Sequence, residues 1–178
     1  AAKFDSGQAL VVTRIRQVPE NCWPTHIKCR SRMHYYLADR AARAKQPASR
    51  ALLVDKQGHV HDTSTATLVA YFEAEGLVEP PEERILPGIS AAITCELAAS
   101  LNIPCVRRDL TVAELLRADE LLLASTPFCL LPVCSLDGQQ IGDGQPRSIF
   151  RRLLTQWNRT VGLDIVSQAA TNSRRGTS

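Results

Sequence analysis

Short runs of apolar and β-branched residues alternate along this sequence with segments whose apolar residues recur every three or four positions. ALVVTRIR (residues 9–16), ALLVD (51–55), VHDTSTATLVAYFEA (60–74), IPCVRRDL (103–110), DELLLAST (119–126) and LLPVCSLDG (130–138) read as strands. A helix is expected from about Cys29 to Lys45, where Met33, Leu37, Ala41 and Ala44 share a face and Pro47 stops it. ILPGIS opens a second helix with Ile93, Leu97 and Leu101 on its buried stripe. Thr111 and Glu114 form a capping box for TVAELLRA. Pro146 begins a final helix through Trp157, with Ile149, Phe150, Leu153, Leu154 and Trp157 inward. After about Ser167 the polar tail SQAATNSRRGTS is expected to be disordered. Strands and helices mixed in this order imply an α/β or α+β domain rather than a bundle or a sandwich.

The 178 residues are 44% hydrophobic, enough for one domain with its own core. A net charge of +3, interleaved with acids, is too weak to imply nucleic acid. No apolar run approaches the length of a membrane span. The N-terminus AAKFDSGQ has no basic stretch leading into an apolar one, so no signal peptide is expected. Opening on Ala1 without a methionine, the chain is expected to be processed or trimmed from something longer. The six cysteines form no C-x-x-C pair and are read as reduced thiols of a cytosolic protein.

Nucleophile-elbow, zincin, Walker and dinucleotide-binding motifs are all missing. His59 and His61 share one face of a strand and are expected to be a solvent-facing pair beside a turn, with no metal. Three segments at element boundaries carry more chemistry. In THIKCRSRMHYY, Lys28 stands between a loop and a helix, where apolar surroundings would make it nucleophilic towards an aldehyde. In LPGIS, Gly88 allows close backbone approach, and amides with the Ser90 hydroxyl at a helix start can cup a phosphate. In ASTPF, Ser125 and Thr126 offer further hydroxyls to the same anion. Each segment also has an ordinary reading, as a surface lysine, an N-cap and a polar strand end. Arg30, Arg32, Tyr35 and Tyr36 follow Lys28 on its helix, and helix periodicity does not say which of them face the active site; Tyr36 is expected in the core and the arginines in solvent.

A loop lysine, then an acid in VHDTST, then LPGIS, AST and LDGQQIGDGQP, in this order and spacing, resembles the class IV (fold-type IV) aminotransferases. These are pyridoxal-phosphate enzymes that include branched-chain and D-amino-acid aminotransferases and aminodeoxychorismate lyase. The likeness runs from about Gly7 to Trp157. It implies the large C-terminal domain of the D-amino-acid aminotransferase-like fold over residues 1–166. It also implies a cytoplasmic homodimer that transfers an amino group between an amino acid, branched-chain ones included, and a 2-oxo acid.

By position, Lys28 matches the lysine that holds the cofactor as an internal aldimine and shuttles the proton. Asp62 matches the carboxylate facing the pyridine nitrogen, Leu86 an apolar contact to the ring face, and Ile89, Ser90 and Thr126 the phosphate donors. Three departures matter. Thr63 to Thr67 replaces the usual small-residue and asparagine stretch after the acid, which bears on nearby substrate and water contacts. The family usually has glutamate where Asp62 stands, so the ring or backbone shifts, a water intervenes, or the electron sink weakens. Family members also carry an N-terminal domain that reads the substrate, and this sequence is expected to begin after it. The alternatives are a lyase of the aminodeoxychorismate type and a cofactor-free domain serving in binding or assembly.

Overall fold

The computed structural model describes residues 2–144 and 148–175. After a short helix α1 (Ala2–Ser6), the strands are β1 (Gln8–Val12), β2 (Arg50–Val54), β3 (Val60–Thr63), β4 (Thr67–Phe72), β5 (Gly76–Glu79), β6 (Cys105–Arg107), β7 (Glu120–Ser125), β8 (Cys129–Leu136) and β9 (Gln139–Gln140). They form one mixed sheet in the order β3-β2-β1-β8-β7-β4-β5-β6, with β9 paired to β8. β1 runs parallel to β2 and β8, and β5 parallel to β6. The other pairings are antiparallel.

This order forces the sheet to curl. β3 is an edge strand, and β2, β1, β8 and β7 separate it from β4 in the sheet. A flat sheet would put five strand spacings, about 24 Å, between them. Only residues 64–66 join β3 to β4, a span of about 14 Å at full extension. The two strands must therefore approach each other outside the ladder.

Two helix layers cover opposite faces of the sheet. Leu10, Leu52 and Val54 point into the main core with Leu68, Leu121 and Leu122. There they meet Leu97 and Ala98 of α3 (Ile89–Ser100) and Phe150, Leu153 and Trp157 of α5 (Ser148–Val161). Val11, Ala51 and Leu53 alternate to the other face and pack on Ala38 and Ala42 of α2 (Met33–Lys45). This period of two along β1 and β2 is what a strand buried on both faces shows. The Thr111–Glu114 capping box starts α4 (Val112–Leu115), as its spacing suggests.

Several elements differ from the sequence reading. β1 ends at Val12 because the Thr13 hydroxyl accepts from Ile15 N–H at 3.1 Å, turning the backbone out of the ladder. α2 begins at Met33 rather than Cys29, and it buries Ala38, Asp39 and Ala42, while Met33 and Ala44 of the expected face are exposed. The tail expected to be disordered from Ser167 lies largely in a helix, α6 (Ile165–Arg175). Asp164 Oδ1 accepts from the amides of Val166 and Ser167, and Ile165 is buried in the main core. Local capping and one apolar anchor thus outweigh a polar composition. Pro146, the expected start of the final helix, lies outside the described residues. Cys95 and Cys105 are disulfide-bonded rather than reduced, because α3 packs on β6 with a Cα separation of 5.7 Å.

Candidate active site

The curl brings the β3–β4 turn beside the end of β7 and the start of α3, and a cleft of about 580 Å³ opens there. Lys28, Asp62, Leu86, Ile89, Ser90 and Thr126 all line it. Six positions scattered over a hundred residues of sequence thus share one space.

Asp62 is the most constrained of the six. It sits on β3 with 7% of its surface exposed. Its Oδ2 accepts from Leu86 N–H at 2.8 Å, while its Oδ1 is buried with no hydrogen-bond partner. Burial pushes its pKa up to about 7, opposed by the Leu86 amide and the Thr67 hydroxyl and reinforced by the charge of Glu79. An orphaned carboxylate oxygen at a cleft is a docking point for a cation or an N–H donor.

The start of α3 forms another part of the wall. Ala92 N–H donates to Gly88 O at 3.0 Å in its first turn, so the amides before it point out of the helix end. Gly88 has an ordinary φ of −86°, so its role is space. A Cβ there would lie 3.0 Å from Thr67 Oγ1. Ser90 is buried, whereas Ile89 and Thr126 are exposed. Ser125, singled out as another anion donor, instead ties β7 to the turn through its hydroxyl, 2.6 Å from Thr65 O.

Lys28 reaches the cleft differently. It is exposed, in the irregular segment between β1 and α2, as the ordinary reading of a surface lysine has it and not in an apolar seat. Anchors around it hold that segment. Gln17 N–H donates to Val54 O at 3.1 Å, the Thr25 hydroxyl donates to Glu83 O, and the Arg32 guanidinium donates to Ser64 O. Arg32 also lies over the Tyr35 ring, 4.7 Å from its centroid. Burial, with the field of Asp62, pushes the Tyr35 hydroxyl pKa up. Arg32 and Tyr35 line the cleft, with Arg32 solvent-exposed as expected and Tyr35 half-buried. Tyr36 is 57% exposed, not in the core. The 3.6-residue period puts neighbours 35 and 36 about 100° apart, and nothing in the sequence says which faces the cleft.

Behind the turn lies an anchor that sequence reasoning missed. Asp39 on α2 is buried and accepts from Ala51 N–H at 2.9 Å, from the Ser64 hydroxyl at 2.8 Å and from Arg50 at 3.1 Å. An acid within a helix otherwise patterned for a sheet face is the one signal that could have found it.

The histidine pair is also corrected. His61 is buried, and both rings face Asp55, with His59 Nδ1 3.1 Å and His61 Nε2 3.6 Å from Asp55 Oδ2. Arg84 bridges Asp55 and Asp109 across the same cluster. Burial pushes the His61 pKa down, and the His59 contacts hold the Asp55 carboxyl below its usual range despite burial, the largest single influence, acting the other way.

Comparisons with known proteins bear on the family and the fold. The chain is 33% identical over 103 residues to the branched-chain-amino-acid aminotransferase-like protein 2 of Arabidopsis thaliana, covering 58% of this chain and 18% of that protein. It is 33% identical over 114 residues to the D-alanine aminotransferase of Staphylococcus aureus (strain N315), covering 62% and 40%. The branched-chain amino acid aminotransferase of Escherichia coli superposes with a TM-score of 0.83 at 25% identity, over 92% of this chain and 53% of that one. The T.th. branched-chain amino acid aminotransferase solved with pyridoxamine 5'-phosphate shares the fold, with a TM-score of 0.81 at 24% identity, over 89% of this chain and 52% of that one. The chain thus spans about half the length of these solved relatives, and 18% and 40% of these two curated ones. No helix among the described residues is long and apolar enough to cross a membrane. The family model for amino-transferase class IV matches residues 2–136, three quarters of the sequence, and the chain belongs to that family.

Proposed function

We propose that this chain is the cofactor-holding part of an aminotransferase that moves an amino group between an amino acid and a 2-oxo acid, with pyridoxal 5'-phosphate in the cleft. The observation that carries the reading is Asp62 Oδ1, a buried, unpartnered carboxylate oxygen in a cleft that also holds a lysine and a helix start. The residues suit that cofactor in three respects. A protonated ring nitrogen would supply the missing partner of Asp62 and draw its pKa back down. The first amides of α3, with the Ser90 and Thr126 hydroxyls, suit a phosphate, and Gly88 leaves room for it. Leu86 gives an apolar contact for the ring and is fixed through its amide to Asp62.

When bound, the cofactor supplies an electron sink for the carbon that exchanges the amino group. Lys28 Nζ holds it covalently and, once released, carries the proton between the substrate carbon and the cofactor. Asp62 keeps the ring nitrogen protonated through Oδ1. Tyr35 and Arg32 border the side of the cleft from which Lys28 reaches. In this reading residues 1–166 are the cofactor-binding part of a cytosolic homodimer, and chain beyond this sequence reads the substrate.

Borohydride reduction of the whole protein loaded with pyridoxal 5'-phosphate, followed by peptide mapping, tests the assignment. The cofactor mass is expected on Lys28. Its appearance on Lys3, Lys45 or Lys56, or on no lysine, would overturn it.

A further inference from the structure

On the far side of α3 from its start at the cleft, three potential ligands converge. Glu79 on β5 is in register with Arg107 of β6, and Leu77 with Cys105, so Glu79 and Cys105 lie on one face of the parallel pair. Cys95 of α3 packs onto that face and is bonded to Cys105. One ligand atom each from Glu79, Cys95 and Cys105 lie within 4.8 Å of one another, the one such group found among the described residues.

Glu79 has no use for both of its oxygens in the oxidised state. It is 1% exposed, and its Oε2 accepts from Arg107 Nε at 3.2 Å. Its Oε1 is buried without a hydrogen-bond partner. Leaving a carboxylate oxygen dry and unpaired is unfavourable, and such an atom beside two sulfurs calls for a cation.

We propose that, once the Cys95–Cys105 bond is reduced, Glu79, Cys95 and Cys105 bind one soft divalent cation of the zinc class. The cation is held by both thiolates and Glu79 Oε1. The reducing step is thiol–disulfide exchange: a dithiol reductant gives two electrons to the S–S bond and becomes a cyclic disulfide, leaving two cysteine thiols. Both thiols lose their protons to solvent as the metal binds. Two thiolates and a carboxylate are balanced in charge by a divalent ion and the Arg107 guanidinium. Two sulfurs and an oxygen suit tetrahedral zinc, with water in the fourth position because both cysteines are only partly buried. Arg107 keeps its bond to Oε2 and orients the carboxylate, as outer partners of metal ligands do. This site does not depend on what occupies the cleft.

Cobalt(II) titration of the full chain, reduced under anaerobic conditions and freed of reductant, tests the proposal. One equivalent should give sulfur-to-cobalt charge-transfer absorption, and the unreduced chain should give none. Glu79→Gln should bind about tenfold more weakly or worse. Zinc should protect Cys95 and Cys105 of the wild-type chain from alkylation, as mapped by mass spectrometry, a readout that requires no variant to fold. Absence of the band after reduction, protection confined to Cys22, Cys29, Cys129 or Cys134, or unchanged affinity in Glu79→Gln would overturn the site.

Discussion

Asp62 and Lys28 line one cleft, but the fold holds them in different ways. Asp62 is on a strand, buried, bonded to Leu86 N–H and surrounded by a turn that is itself tied to α2 and β7. Lys28 is exposed in an irregular segment whose anchors lie at Gln17, Thr25 and Arg32, on either side of it and not at the lysine. The difference teaches how labour is divided here. The wall built from β3, β7 and α3 is organised by burial and hydrogen bonds, and folding alone sets it. The lysine side is set by a few tethers, and the Lys28 side chain itself is exposed.

The sharpest break of this comparison is Lys28→Ala. Transamination by the whole protein should fall by about a thousandfold or more, with urea unfolding within about 0.5 kcal/mol of wild type. A large loss of stability would mean that the lysine segment is built like the opposite wall.

Asp62→Asn should act through stability and its pH dependence. The Asp62 pKa rises from 3.8 unfolded to about 7 folded, so between those values the native state binds the extra proton. Its contribution is therefore full below about pH 4 and is lost as pH rises towards 7. Across pH 4–8 the stability of the cofactor-free protein should fall by about 2–4 kcal/mol relative to that of the asparagine variant, which shares the contributions of Glu79 and His61. Equal slopes in both proteins would remove Asp62 from the rigid wall.

Asp39→Ala probes the anchor behind the turn. It strips the partners from the buried Ala51 amide and the Ser64 hydroxyl, and should cost about 2–3 kcal/mol in chemical denaturation. Ser90→Ala should have the smallest effect. It should weaken cofactor affinity by about 1–2 kcal/mol, measured by fluorescence titration, with unfolding nearly unchanged.

Much of this was legible from local pattern. The strand alternation, the Thr111–Glu114 cap and the inward face of α5 all depend on neighbours in sequence, and all were found. Lys28, Ser90 and Thr126 stood out only as weak boundary signals, and it took a resemblance over most of the chain to join them with Asp62, Leu86 and Ile89 in one cleft. No periodicity relates Lys28 to Thr126. What stayed illegible has a shared cause. The Asp39 anchor, the His59–Asp55–His61 cluster and the Cys95–Cys105 bond each join side chains on different elements or across a turn. The α6 helix, by contrast, was missed because its polar composition hid the Asp164 cap and the Ile165 anchor.

By itself the sequence determined most of the strands, the Thr111–Glu114 cap and the buried face of α5, because those properties follow from chain periodicity and local capping; the buried face of α2 and the α6 helix it did not. Tertiary structure alone decided that a three-residue link would curl the sheet, bring Asp62 beside the start of α3, and leave one oxygen of Asp62 and one of Glu79 buried without partners. Burial and charge depend on what packs around a side chain in space, and distant parts of the chain supply that.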